Sequence, residues 1–272
     1  MPASLDQIVA TTRRKVAETK PAADLRQLDR QAGNHVPRGF RCALESASRS
    51  GIAVIAELKR ASPSRGLIRF DFDSASLAKE LEDAGAAALS VLTDAEFFQG
   101  SLENLRRASD STKLPCLRKD FIVDEFQLLE ARATGADAVL LIVAALSADE
   151  LKLLASRAGE YSLDVLCEVH DEDELRRAAD AGCTLIGVNS RDLRTFKVDL
   201  ATPFRLADVI PENALRVAES GIHSGADIAR LRAAGYQSFL IGESLMKAKS
   251  PGEALRAFLA EAQRESQAPI RT

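Results

Sequence analysis

The chain has 272 residues, a formal net charge of −4, no tryptophan and mixed charges without a basic stripe, which argues against a nucleic-acid partner. Its length suits one α/β barrel of about 250 residues and can bury a core without disulfides or a structural metal. The N-terminal MPASLDQIVATTRRK lacks a signal-peptide core, the longest apolar run (Ala138 to Leu146) is too short to cross a bilayer, and Cys42, Cys116, Cys167 and Cys183 lack CxxC spacing. A cytoplasmic protein with reduced thiols and no membrane contact is expected.

About fifty residues precede the first apolar run. Residues 4–20 read as one amphipathic helix and 38–50 as another, with Pro21, Gly33 and Pro37 breaking the stretch between them. No Gly/Ser linker follows, so residues 1–50 are expected as a helical extension of a single domain spanning 1–272. They suit either a lid over the barrel's bottom or a flap near its active mouth.

Eight apolar runs follow as candidate strands: Ile52–Leu58, Ala87–Leu92, Leu114–Leu117, Ala138–Val143, Asp164–Cys167, Thr184–Val188, Leu215–Ala218 and Ser238–Ile241. They start about every 20 to 35 residues, as a βα barrel requires. Four times an amphipathic stretch ends at a glycine (Gly85, Gly135, Gly182, Gly235) and an apolar run begins almost at once. Glycine suits the left-handed position that closes a helix, and a short all-apolar run suits a parallel strand buried on both faces. Ser147 and Ser224 stand where N-caps belong. The fold expected is a closed (β/α)8 barrel with an N-terminal helical extension; an open doubly wound sheet is the alternative, because strand count does not prove closure.

In such a barrel the chemistry sits at the C-terminal strand ends. There the sequence places Glu57 and Lys59, Lys119, Glu168, Asn189 with Arg191, and Glu219. Any one could be a barrel-plugging ion pair or a loop residue. Together, charges ending several core strands cost desolvation unless they serve a site or pair tightly. The loops after the last two strands, Ser220-Gly221-Ile222-His223-Ser224 and Gly242-Glu243-Ser244-Leu245-Met246, pair glycines with hydroxyls and could cradle a phosphate, with Ser62 adding a hydroxyl. His35, His170 and His223 have no metal-ligand spacing and read as surface or loop residues. Neither GxxxxGK[ST] nor a strand-linked GxGxxG occurs.

The segments IAELKRASPSRG (55–66), VLTDAEFFQGS (91–101), LRKDFIVDEFQL (117–128), CEVHDEDEL (167–175), IGVNSRDLRTFKVD (186–199), AESGI (218–222) and LIGESLMKAKSPGEAL (240–255) stand in this order. Over residues 1 to 265 the chain resembles the indole-3-glycerol-phosphate synthases of tryptophan biosynthesis. The resemblance implies ring closure, decarboxylation and dehydration of 1-(2-carboxyphenylamino)-1-deoxyribulose 5-phosphate, with no cofactor and no metal. It implies Lys119 as general acid, Glu168 as general base, and Lys59 flanked by Glu57 at the substrate carboxylate. Asn189 and Arg191 would orient the substrate, and Glu219 would be a further active-site carboxylate. Ser62, Ser220, Gly221, Gly242 and Glu243 (through its amide) would hold phosphate, and Phe98 would line the aromatic wall. Two other readings stay open: a Schiff-base aldolase using Lys59 or Lys119, and a catalytically dead barrel that binds a phosphorylated metabolite. The sequence does not give an oligomeric state; a monomer is the working expectation.

Overall fold

Short apolar runs that alternate with amphipathic stretches pack only if the strands line one closed core and the helices cover it. The computed structural model, which describes residues 4–192 and 197–267, has this arrangement. The strands are β1 (Ala53–Leu58), β2 (Ala88–Leu92), β3 (Cys116–Lys119), β4 (Ala138–Ile142), β5 (Asp164–Val169), β6 (Leu185–Asn189), β7 (Leu215–Glu219) and β8 (Ser238–Ile241). Each pairs in parallel with its sequence neighbours, and β1 pairs with both β2 and β8, so the sheet closes. The open-sheet alternative is excluded.

The four glycines close helices as expected, with φ between +79° and +94°. After each, the next amide bonds back to the carbonyl five residues earlier: Ala86 to Leu81, Ala136 to Ala131, Cys183 to Ala178, Tyr236 to Leu231. That bond engages a helix-end carbonyl and turns the chain into the following strand. Ser147 and Ser224 both cap helices, over Ala148–Glu160 and Gly225–Ala233, each within a reciprocal capping box.

Four strands run further than their apolar runs. β3 continues through Arg118 and Lys119, β5 through Glu168 and Val169, β6 to Asn189 and β7 to Glu219. Hydrophobicity stops where the working residues begin, while the backbone ladder does not. β3 also starts at Cys116 rather than Leu114, after Pro115, which has no N–H to give a ladder.

Side-chain alternation along each strand then decides what faces the interior. Ala53 and Ile55, Leu117, Leu166, Leu185, Leu215 with Val217, and Leu240 share one buried inner cluster. Continuing those positions by two residues at a time reaches Glu57 and Lys59, Lys119, Glu168 and His170, Gly187 with Asn189 and Arg191, Glu219, and Gly242. Arg118 takes the opposite face, where it meets Thr93, Asp120 and the carbonyl of Gln127.

The N-terminal extension serves both ends of the barrel. α1 (Leu5–Thr19) lies over the upper rim: Leu5 and Ile8 join the inner cluster beside Phe121 and Ile142, Arg13 pairs with Glu150, and Lys20 pairs with Asp124. α3 (Phe40–Ser50) plugs the lower end with Phe40 and Leu44, while Arg41 bonds Asp164 and the carbonyls of Thr184 and Asn213, just ahead of their strands. Between them stands α2 (Leu25–Asn34), capped by Asp24 and packed on the helix Glu125–Ala133. The sequence reading took this stretch as broken. Pro21 and Pro37 lie outside the helix, and Gly33 is tolerated in its last turn.

Candidate active site

The inward positions converge at the upper rim. The Lys119 ammonium lies 3.1 Å from Glu168 Oε2 and 3.8 Å from Glu219 Oε2. The Lys59 ammonium donates to Glu57 Oε1 at 2.6 Å. Glu57, Lys59, Lys119, Asn189, Arg191, Glu219, Ser220, Gly221, Gly242 and Glu243 line one cleft, of roughly 660 Å³ counting its open mouth. Eight of the residues expected at the site, on five strands and their loops, thus meet with the two glycines that shape the loops. Glu168 is fully buried behind Lys119 and does not line the cleft.

Burial and mutual charge set the protonation states. Desolvation would make Lys119 easier to deprotonate, but Glu168, Glu219 and Glu57 outweigh it and push its pKa up, so it is an ammonium at neutral pH. Burial would likewise raise Glu168, yet Lys119, His170 and the Asn189 amide hold it below the ordinary value. Glu219 goes the other way. Burial, then the nearby Glu168 charge, raise it to about 8, against the pull of Lys119. Lys119 is thus a cation between one anion, Glu168, and one carboxyl, Glu219, that is mostly neutral near pH 7.

Two glycines make room for these acids. A Cβ on Gly187 would stand 2.0 Å from Glu219 Oε1, and one on Gly242 would stand 2.4 Å from Glu57 Oε1. After β7 the chain turns through two left-handed residues, Ser220 at φ +64° and Gly221 at φ +74°. Ser220 is a non-glycine residue in a region that L side chains rarely adopt, a kind of strain that clusters at ligand sites. Ser244 Oγ donates to the Ile222 carbonyl at 2.9 Å and lies 3.2 Å from His223 Nδ1, which ties the β7 loop to the β8 loop.

The remaining expected residues sit at the margins. Ser62 lies in a two-stranded ribbon (Ala61–Ser62 with Gly66–Leu67); its hydroxyl is buried without a hydrogen-bond partner, so it can still take one. Phe98 does not line the cleft. It tilts against Phe121 with ring centroids 6.3 Å apart, beside the apolar contacts of α1. The Glu243 carboxylate bonds Lys247 at 2.5 Å and lies 3.2 Å from Arg65 and 3.7 Å from Arg191. Its side chain therefore gathers three cations, a role the sequence reading, which used only its amide, did not foresee. Residues 193–196, within the NSRDL-containing segment, lie outside the described residues.

Two histidines expected as surface or loop residues lie at the site. His223 lines the cleft. His170 is largely buried, with Nε2 3.5 Å from Glu168 Oε1 and Nδ1 2.9 Å from Glu174 Oε2. Strand alternation carries the signal for it: Leu166 and Glu168 point inward, and the next position with that parity is His170.

Solved structures resemble this chain in fold at low identity. Thiamine phosphate pyrophosphorylase from Pyrococcus furiosus is 15% identical with a TM-score of 0.60, covering 80% of this chain and 98% of its own. 3-Hexulose-6-phosphate synthase from Salmonella typhimurium is 12% identical with a TM-score of 0.63, covering 79% and 100%. Sequence is more specific. Indole-3-glycerol phosphate synthase of Koribacter versatilis (strain Ellin345) is 61% identical over 259 residues, covering 95% of this chain and 100% of that protein. The family model for indole-3-glycerol phosphate synthase matches residues 5–258, which include every residue placed at the rim. The chain belongs to the indole-3-glycerol phosphate synthase family.

Proposed function

We propose that this chain closes the indole ring of 1-(2-carboxyphenylamino)-1-deoxyribulose 5-phosphate, releasing carbon dioxide and water, to give indole-3-glycerol phosphate. The observation that carries the residue roles is Lys119, an ammonium held between two buried carboxylates of opposite protonation preference.

Attack of the aromatic carbon on the ribulose carbonyl builds charge on oxygen. Lys119 stabilises that charge and delivers the proton; a preorganised cation in a partly dry site is worth far more than one in water. Loss of carbon dioxide then leaves its electron pair to the ring nitrogen, which is iminium-like after closure. For the dehydration, Glu168, screened by Lys119 in the unliganded site, gains access as Lys119 shifts onto the substrate oxygen and takes the carbon-bound proton as the hydroxyl leaves. Lys59, steadied by Glu57, binds the substrate carboxylate and assists the departing hydroxide. Asn189 and Arg191 orient the substrate, and Glu219 is the further carboxyl of the site. Ser62, Ser220, Gly221, Gly242 and the Glu243 amide hold the phosphate, with Arg65 and Arg191 supplying positive charge near that end. Anchoring the phosphate far from the reacting carbons restrains a flexible chain before the chemistry begins. Phe98 faces the aromatic ring if the Phe98–Phe121 pair opens on binding. The chain acts as a cytoplasmic monomer; its four cysteines are free thiols, which fits a reducing compartment.

The test is turnover of the purified protein on this substrate, followed by indole fluorescence with chelator present. Product formation is expected. Binding without product would favour a barrel that only holds a phosphorylated ligand, and trapping of a lysine adduct by borohydride would favour aldolase chemistry.

A further inference from the structure

The catalytic base assigned above is sealed from solvent on the substrate side. Glu168 has 0% exposure; its Oε2 meets Lys119, while its Oε1 is buried with no hydrogen-bond partner. His170 Nε2, 3.5 Å away, is also buried without one. Two unpartnered polar atoms buried face to face are costly unless they pair when the site is occupied. The separation is long for a hydrogen bond, but catalytic bonds of unliganded sites commonly tighten on binding.

Glu174 anchors the ring. Glu174 Oε2 accepts from both the His170 backbone N–H, at 2.8 Å, and lies 2.9 Å from Nδ1. With Nδ1–H directed to Glu174, Nε2 is left for Glu168. His170 also lines a separate cleft with the start of the helix Glu172–Asp180 and Arg205. His170 thus stands between the buried Glu168 carboxylate and that second cleft.

We propose that His170 is a positioning residue for the base: its imidazolium orients Glu168 Oε1 from the outer side, opposite Lys119 on Oε2, and sets how basic the carboxylate is. The proposal rests on Glu168 being the base. The groups facing His170 are Glu168 on its own strand, Glu174 on the following helix, Glu219 on β7, the acidic turn Asp171–Glu172–Asp173 with Arg176, and Arg205 across the outer cleft; Lys119 lies beyond Glu168. Burial opposes the imidazolium, but Glu174, Glu168 and Glu219 outweigh it and raise His170 above its ordinary value. The brace is therefore charged below the raised value and is lost as pH rises through it.

Two measurements test this. Imidazole NMR titration follows His170 in the wild type and in Glu168→Gln; removing the facing charge should lower the His170 pKa, and an unchanged value would overturn the proposal. Separately, kcat is measured against pH for wild type, His170→Gln and His170→Asn. The wild type should lose turnover on the alkaline side in step with the NMR titration of His170. His170→Gln should lose that limb, with kcat down about tenfold on its acid side, the scale of one charge-assisted hydrogen bond, and KM little changed. If it folds poorly, His170→Asn provides the same comparison. Wild-type kcat and an unaltered alkaline limb in either folded variant would overturn the proposal. Full activity of Glu168→Gln would instead remove the base assignment, and this proposal with it; no turnover by the wild type would signal failure of the function itself.

Discussion

Two buried carboxylates, Asp137 at the lower rim and Glu219 at the upper rim, are equally hidden and oppositely treated. Asp137, just before β4, is engaged on both oxygens: the Arg38 and Cys116 amides donate at 2.8 Å, the Arg38 guanidinium at 2.8 Å, and His35 Nε2 lies at 3.1 Å. Burial would raise its pKa, but these bonds and charges hold it below the ordinary value. Glu219 has Lys119 at 3.8 Å as its charge partner, an Oε1 with no hydrogen bond, and a pKa raised to about 8. The lower end spends its polar groups on one another and locks the extension to the barrel. The upper end leaves bonding capacity open, which is what a site must do to bind anything.

Substitutions at the two ends should therefore separate activity from stability. The largest effect is expected for Lys119→Ala. The loss of a placed proton donor should lower kcat by about 10²–10⁴-fold. The fold should persist by circular dichroism, because Glu168 and Glu219 can take up protons once the cation is gone. Near wild-type turnover would remove Lys119 from the acid role, and a rise in KM at constant kcat would make it a binding group. Asp137→Ala is the mirror experiment. It takes the carboxylate from the part-buried Arg38 and leaves the Arg38 and Cys116 amides without their acceptor, and should cost about 3–5 kcal/mol of stability in denaturant titrations, with kcat of the folded enzyme nearly unchanged.

This division explains what was legible in the sequence. The barrel could be read because four helices end at a glycine, Gly135 and Gly182 among them, and because the apolar runs between them suit parallel strands buried on both faces. The rim residues Glu57, Lys119, Glu168, Asn189 and Glu219 could be read as charged or polar groups interrupting that pattern. Strand ends could be read only to within a residue or two: the apolar runs of β5 and β7 stop one residue before their glutamates, while the ladder continues through them. His170 was passed over because its environment is made by Glu174 and by strand parity, not by its neighbours' character. Helix α2 was hidden because its prolines flank the helix without entering it. The position of Phe98 depends on Phe121 and α1, contacts that no local pattern records.

A third experiment sharpens the contrast at a position with no charge. Gly187→Ala puts a methyl group 2.0 Å from Glu219 Oε1, and 3.2 Å from Leu166 Cδ1. Glu219 must move, so about 1–3 kcal/mol of stability should be lost, as for other overpacked cores, and turnover should fall too. Gly33→Ala is the matched control: nothing lies within 4 Å of the added carbon, in the last turn of α2. It should change stability by no more than about 0.5 kcal/mol and leave turnover alone. Equal effects at the two glycines would mean that the space kept for Glu219 is irrelevant.

The smallest effect, and the one that tests the comparison most directly, is the pH dependence of stability. For Asp137 the folded pKa is depressed, so its contribution is present above the unfolded value and disappears as pH falls through the folded one. For Glu219 the folded pKa is raised to about 8, so the folded state binds a proton that the unfolded chain releases near its ordinary value. The associated stability is complete below the unfolded pKa and is lost as pH rises through about 8. Glu219→Gln keeps the shape of the neutral acid and cannot ionise. Its melting temperature should thus lie near that of the wild type at pH 5 and above it at pH 9, by about 2–4 °C for each kcal/mol of ionisation cost removed. Asp137→Asn should show the reverse trend, with a deficit at pH 7 that shrinks toward pH 3. Parallel melting curves for wild type and Glu219→Gln from pH 5 to 9 would mean that Lys119 compensates Glu219 fully, and that the upper rim is as well satisfied as the lower.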